Sequence, residues 1–599
     1  MGIPRLKARL QPYGERGVLQ PCRAVIDGPA LAYHILGLCL RNSKSSPFEQ
    51  PSYAQLAKTA LEWLDQVGRY GVFVSAIYFD GYLPQQKRPE RLDRLRGSSK
   101  ALANYYRANT AGVPRQRAHF EEDASVELFP DSGGKESKLP PPPPTFLVAA
   151  IFDALRNSEE YSSRTRMVPG EADGFCAEHA VSNDAVVFTG DSDLLLHDIG
   201  PNGRVVFFGD IEADLEEGQL KCVQFRVSEI RRRLELNSED GLAQLGFEIF
   251  TDPHSTLKEA AERARRRLTA SKDPISYDKF LKQFVSPETA PRSECTSALS
   301  LDTKVSELLL SCLPMPDEKQ ELDDENGDSE GASKPVEMFL PFLLDCPTRT
   351  SAWEPSRHVR QVGYSLLQSI RGASIPSVSE FRRLQGTSSG TRVPVLSPAD
   401  MGHEISQLLN VLSTIRSQIQ KPELIWALLA IYQDVVLAQE QNKGSPLSFQ
   451  LLRQYALGTL DQGSWGFIHF LAETQATLFS LRLLCQIVDF TKSLDASKLP
   501  PKMTELREEL ADLPPLEEYP WVRNFADILR DVGRANGFAC LAGIFSGQKD
   551  IVEQIEAIQG APTPKNKKAK KRKASVSQGT TASRTPSSNP FEALAGRDA

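Results

Sequence analysis

The carboxylates of this 599-residue chain fall where metal-assisted hydrolysis could use them. Asp27 closes the run Ala24-Val-Ile, Asp80 closes Phe73-Val-Ser-Ala-Ile-Tyr-Phe, and Asp191 and Asp193 follow Ala185-Val-Val-Phe-Thr-Gly. Each run is apolar, β-branched or aromatic and reads as a buried strand, so each acid stands at a strand's C-terminal end. In open α/β sheets ligands bind in the crevice outside those ends, where acids remote in sequence converge. Such a cluster repels itself and is desolvated, so it needs cations. Oxygen donors without thiolates or paired histidines select Mg²⁺ or Mn²⁺ over zinc. Glu171 and Asp173, in the first turn of a helix after Pro169, can aim at the same place. The competing reading is that each Asp begins a turn or caps a helix, as Asp-Gly does routinely. Four strand-end acids plus a helix-start pair exceed what that reading explains.

The elements that must position these acids follow from the same runs. Helical spacing over 56–70 and 146–157, a helix opening at 169–173, and further strands over 204–208 and 222–225 complete a strand–helix alternation. That alternation predicts an α/β domain over 1–255 with a mostly parallel central sheet. The acidic, Gly/Ser and polyproline stretch at about 120–145 predicts a disordered insert that buries no core. Residues 256–335 read as a helical extension and acidic linker, and 336–560 as an all-α domain with apolar stripes that include Trp426 and Trp465. The polar, basic residues 561–599 read as a disordered tail.

Composition narrows the class. With 40% hydrophobic and 25% charged residues the chain is ordinary for a soluble globular protein. Its apolar stretches are too short to span a bilayer, and its first residues lack the apolar segment of a secretory signal. Nine cysteines without a CxxC pair argue against zinc ribbons and for reduced thiols inside a cell. The net charge of −7 hides a basic run at 81–119 that includes Lys87, Arg88, Arg91 and Arg94. A solvated charged helix explains that run, and so does a polyanion contact, because local field governs encounter. The tail run Lys565–Lys573 predicts a nuclear address. Asn589-Pro-Phe-Glu-Ala-Leu594 is either inert or a docking peptide. His34, His179 and His197 lie near the acids without ligand spacing and read as packing residues.

The ordered set Met-Gly-Ile at 1–3, Asp27-Gly, Phe79-Asp80-Gly81, Gly170-Glu171-Ala172-Asp173 and Gly190-Asp191-Ser192-Asp193 resembles the flap endonuclease/XPG nucleases. YFDGYLPQQKRPERLDRL, PGEAD and TGDSDLLLHD look most like the Asteroid branch, whose members carry a PIN-like fold. The resemblance covers roughly 1–255; beyond it only Arg357-His-Val-Arg-Gln-Val-Gly-Tyr-Ser looks familiar. It implies that Asp27, Asp80, Glu171, Asp173, Asp191 and Asp193 hold two Mg²⁺ or Mn²⁺ ions. It also implies that Lys87 and Arg94 reach the scissile phosphate, that Gly2 lies near the substrate, and that Arg88 and Arg91 contact nucleic acid. Tyr33 matches an aromatic that stacks on a base; a buried core tyrosine is the alternative.

The match breaks at Leu245-Gly246-Phe247-Glu248, where Glu replaces the family's Asp, and the glycines of the duplex-gripping helix–hairpin–helix are missing. Glu248 is carried as a further ligand with one more methylene of reach. The expectation is a Mg²⁺-dependent, structure-selective nuclease acting on branched or single-stranded DNA or RNA in repair or nucleic-acid processing. Its helical domain would meet protein partners. The alternative is a weak or inactive PIN-like scaffold in RNA regulation or repair complexes.

Overall fold

Strand and helix alternate through the first third of the chain because short β-branched runs are separated by stretches of helical spacing. The computed structural model describes residues 3, 5–41, 50–112, 126–130, 143–214, 216–236, 242–267, 274–285, 297–313, 336–383 and 389–560. The strands of the first sheet are β1 (Glu15–Val18), β2 (Cys22–Asp27), β3 (Val72–Asp80), β4 (Thr165–Val168), β5 (Val186–Thr189), β6 (Arg204–Phe207), β7 (Glu212–Asp214) and β8 (Gln219–Arg226). Their order is β1-β8-β6-β5-β2-β3-β4, with β7 beside β8. From β6 to β4 every neighbouring pair is parallel; on the other side β8 and then β1 add antiparallel strands. Side chains alternate across the sheet, so Ala24 and Ile26 enter one core and Val25 the other.

Helices α1 (Gly28–Arg41), α2 (Tyr53–Arg69), α3 (Arg88–Ala108), α4 (Leu147–Asn157) and α5 (Ala172–Asn183) link the parallel strands. Ser52 starts α2 by accepting the Gln55 N–H at 3.1 Å. After β8 come α6 (Leu242–Thr251), α7 (Leu257–Arg266) and α8 (Thr303–Cys312). The later region is helical, with α9 (Arg357–Arg371), α10 (Pro398–Gln418), α11 (Pro422–Glu440) and α12 (Trp465–Asp495). This is a PIN-like α/β domain followed by a helical region.

Two features depart from the expected outline. A three-stranded sheet of β9 (Val336–Phe339), β10 (Ser377–Phe381) and β11 (Thr391–Pro394) opens the region read as all-α. Its strands are only four or five residues long, too short for their period to stand out. Within the insert at about 120–145, expected to bury no core, Phe129 packs 6.0 Å from both Trp63 and Tyr70. The apolar Val126, Leu128 and Phe129 anchor that stretch despite its acidic neighbours. Residues 120–125 and 131–142 of the insert, the linker at 316–335 and the tail at 561–599 lie outside the described residues.

The two regions share a core. Phe146, just before α4, stacks on Phe479 of α12 with centroids 4.9 Å apart, and one apolar cluster runs from the sheet through both. Arg360 of α9, fully buried, is satisfied by Glu380, Ser356, Ser480 and the Trp353 carbonyl.

Candidate metal and phosphate cleft

The acids stand on four neighbouring parallel strands. Asp27 ends β2, Asp80 ends β3, Glu171 and Asp173 follow β4 at the start of α5, and Asp191 and Asp193 follow β5. Since β5, β2, β3 and β4 lie side by side in that order, all six share one sheet edge. The glycines after Asp27 and Asp80 serve close packing. A Cβ on Gly28 would meet the Phe79 ring at 2.5 Å, and one on Gly81 would strike the Val168 carbonyl. Neither glycine has positive φ, and of the two acids Asp27 also fits the capping reading, since it stands just before α1 and accepts the Ala30 N–H.

The carboxylates are fixed by local donors. Asp27 accepts the Thr189 hydroxyl at 2.6 Å and the Ala30 N–H at 3.2 Å, while the Thr189 oxygen accepts the Asp191 N–H at 2.9 Å. Asp80 accepts the Ala172 N–H at 2.8 Å, Asp191 that of Asp193 at 3.0 Å, and Asp193 that of Ile3 at 3.0 Å. Burial, with Asp80 and Asp191 adding like charge, pushes Asp27 up to about 7 against the pull of Thr189. Burial pushes Glu171 to about 7, opposed by Lys87, and Asp193 to about 6, where Asp191 adds to the effect. Asp173 is raised well above its ordinary value by burial and then by Asp27, Asp191, Glu171 and Asp80. Asp80 is raised by burial and pulled back by Lys304 and Lys87. The acids therefore feel one another, and the site carries uncompensated negative charge.

That donor chemistry fits a hard divalent cation: carboxylate oxygens alone, in excess of the nearby cations. Among the described residues, however, no three His, Cys, Asp or Glu side chains surround a common point closely enough to hold an ion. Binding one requires these carboxylates to draw together, as mutual repulsion otherwise keeps them apart.

The basic residues divide. Lys87 Nζ lies 3.5 Å from Glu171 Oε1, at the edge of a cleft of about 430 Å³ lined also by Tyr33, Asp80, Arg94 and Lys304. Tyr33 is 56% exposed, which rules out a core role. Arg94 itself is 65% exposed and 3.8 Å from Glu90. Arg88 instead donates two bonds to Glu337, at 2.6 and 2.5 Å, and Arg91 is bound by Glu307. Both arginines are occupied by carboxylates of the later region, so neither stands free for nucleic acid in this state.

Glu248 is buried on α6, where Gln244 and the Arg263 guanidinium, at 3.1 and 3.0 Å, engage its two oxygens. The structure gives it an ion-pair partner that the local sequence, Leu-Gly-Phe-Glu, did not reveal. Gly2 lies outside the described residues. The histidines pack: His34 stacks on Phe208 at 5.1 Å, His179 bonds Ser75 and Tyr78, and buried His197 is lowered to about 4.

Sequence reasoning missed Thr189 and Lys304. Thr189 was visible only as a polar residue ending a buried strand. Lys304 reaches the cleft from α8, well beyond the 1–255 boundary, and no local pattern tells where a distant helix docks.

Strand order, strand-end acids and helical cover define a PIN-like α/β domain, and residues 143–395 are similar to the family model described as XPG domain containing. That match runs beyond residue 255, through α8 and β9–β11. The chain is also similar to Asteroid homolog 1 of Schizosaccharomyces pombe, 23% identical over 378 residues, 61% of this chain and 60% of that protein. The chain aligns with about 60% of the length of this curated relative.

Proposed function

We propose that the chain is a Mg²⁺- or Mn²⁺-dependent, structure-selective nuclease that hydrolyses phosphodiester bonds of DNA or RNA. The observation that carries this reading is the six-acid edge with Lys87 set against Glu171: excess carboxylate to hold cations beside a cation able to meet phosphate. Asp27, Asp80, Glu171, Asp173, Asp191 and Asp193 would hold two ions. Bound, such ions supply a nucleophilic hydroxide and neutralise charge on the phosphate.

The chain's own residues do the remainder. The Ala172, Ile3 and Asp193 N–H groups each occupy one oxygen of Asp80, Asp193 and Asp191 and fix its partner's aim, while Thr189 and the Ala30 N–H hold the two oxygens of Asp27. Lys87, released from Glu171 as the acids draw inward, can turn its ammonium to a phosphate oxygen and stabilise charge that develops there. Tyr33, exposed at the cleft mouth, can stack on an unpaired base without reading its identity.

A PIN-like scaffold is the second reading, favoured by the occupied Arg88 and Arg91 and by the ion-paired Glu248. The test is chelator-sensitive cleavage by the purified chain on flapped, branched and single-stranded DNA and RNA. Cleavage in Mg²⁺ or Mn²⁺ that chelation stops supports the enzyme; no cleavage anywhere on that panel supports the scaffold. A nuclear address in Lys565–Lys573 and a role in repair or nucleic-acid processing belong to the same proposal. Deleting 561–599 should shift the chain out of the nucleus, and an unchanged distribution would remove that part.

A further inference from the structure

The acid cleft has a second end, built by the region that follows the PIN-like fold. Lys304 lies one residue inside α8, and α8 is clamped from several sides. Its cap Asp302 accepts the Lys304 N–H at 3.0 Å, and the Asp302 N–H donates to Gln486 of α12. Ser306 donates to the Gly81 carbonyl at 3.2 Å, directly after Asp80. Arg482 of α12 ties Asp302 to Asp153 of α4. This bracing holds Lys304 in the lining of the cleft, with Asp80 and Lys87. Its charge bears on Asp80 more than Lys87 does.

Glu307 is already held by Arg91 and takes one Lys304 donor at 3.2 Å. An ammonium has three donors, and Lys304 itself lines the cleft beside Asp80. Beyond Lys304 the wall turns apolar, with Leu95, Phe339, Pro341 and Phe342 lining the same 430 Å³ space. Phe342 is half-buried and its carbonyl accepts the Thr145 hydroxyl at 3.1 Å, which fixes that wall. A cation beside an apolar wall matches a nucleotide, phosphate at the charged part and base against the rings.

We propose that the α8 end of the cleft is a subsite for one unpaired nucleotide, with Lys304 on its phosphate and Phe342, Pro341 and Leu95 against its base. The inference rests on the nuclease reading for its substrate class, nucleic acid with a single-stranded arm. It adds a recognition site supplied by the later region.

The test reads binding in EDTA, so cleavage does not enter it. A labelled single-stranded oligodeoxynucleotide is titrated with the full chain, with an abasic site walked along the strand and salt varied. For the wild type, one position should show about a tenfold or greater loss of affinity when abasic. Phe342→Ala should remove the penalty at that position alone. Lys304→Met should reduce the slope of log affinity against log salt by ~0.7, one phosphate contact on a single strand, and Lys304→Arg should restore it.

If Phe342→Ala fails to fold, 2-aminopurine at the sensitive position serves for the wild type; its emission should change on binding. A penalty equal at every position, an unchanged salt slope in Lys304→Met, or unaltered 2-aminopurine emission overturns the subsite. If these signals appear but Mg²⁺ and Mn²⁺ give no cleavage, the nuclease reading fails and the subsite stands. If wild type cleaves and both Lys304→Met and Phe342→Ala are indistinguishable from it in binding and cleavage, the subsite fails and the nuclease reading stands.

Discussion

The Arg91 guanidinium lies over the Phe339 ring, 4.5 Å from its centroid, and joins the PIN-like domain to the small second sheet. Phe339 stacks on Phe381 at 4.4 Å, and the Arg88 guanidinium lies over the Phe381 ring at 5.3 Å. Two guanidiniums thus sit on a stacked pair of rings, and Glu307 and Glu337 pair with Arg91 and Arg88. Further along α3, Trp465 donates its indole N–H to the Asn109 carbonyl at 2.7 Å. Helix α3 is thus fastened to the later region along its length.

Phe339→Ala should therefore cost about 3 kcal/mol of stability, as for other buried aromatic truncations, and loosen α3. Limited proteolysis should then cut within 88–108 before it cuts the sheet. A cleavage pattern equal to wild type would show that the stack does not hold the helix.

The acid edge makes stability depend on pH. Asp27 and Glu171 are held near 7 and Asp193 near 6, above the values of an unfolded chain. For acids raised in this way the folded state keeps protons that the unfolded state has lost. Their contribution is greatest below about pH 4 and is lost as pH rises through about 7. Melting temperature in EDTA should fall over that window by this contribution, and Mg²⁺ should raise it more at about pH 8 than at about pH 5.5, where the carboxyls are protonated. Equal Mg²⁺ shifts at both pH values would argue against ions at this edge.

Glu248 and Asp191 should separate in their phenotypes. Removing Glu248 leaves Arg263 near a buried wall, so Glu248→Ala should lower stability by about 1–3 kcal/mol, less than for a fully buried pair because Arg263 reaches water. Glu248→Gln should recover part of it. Loss of metal-dependent cleavage without loss of stability would instead make Glu248 a ligand.

Lys87 and Arg94 should differ in degree. Lys87, 3.5 Å from Glu171 and 15% exposed, acts in a desolvated place; Arg94 is 65% exposed. We expect Lys87→Ala to lower kcat about a hundredfold and Arg94→Ala about tenfold or less. Comparable losses, or a change confined to KM in Lys87→Ala, would move Lys87 from the reacting phosphate to substrate binding.

Much of the sheet was legible because its strands are buried runs with acids at their ends, a signal carried within six to nine residues, as in β2 and β3. The shared edge of Asp27, Asp80, Glu171 and Asp191 followed from that, since parallel strands put all their C-terminal ends together. Legibility ended where partners are remote. Arg88 and Arg91 look in sequence like any exposed basic helix, and their carboxylates come 249 and 216 residues later. Lys304 is equally silent, because its importance lies in where α8 docks. Phe129 gave no signal because three apolar residues in an acidic segment show no period. In each case local pattern carries no information on long-range docking.

The most direct measurement compares wild type with Asp191→Ala on the same panel of flapped, branched and single-stranded DNA and RNA, in Mg²⁺ and in Mn²⁺. Asp191 joins the cluster through Thr189 and Asp193 and caps the turn that follows β5. Wild type should cleave a substrate that carries a single-stranded arm, chelation should stop it, and Asp191→Ala should abolish cleavage. Binding should be retained or improved, because removing a carboxylate removes repulsion toward phosphate. Identical behaviour of the two proteins across the panel, with both metals, would contradict a metal-dependent nuclease at this edge.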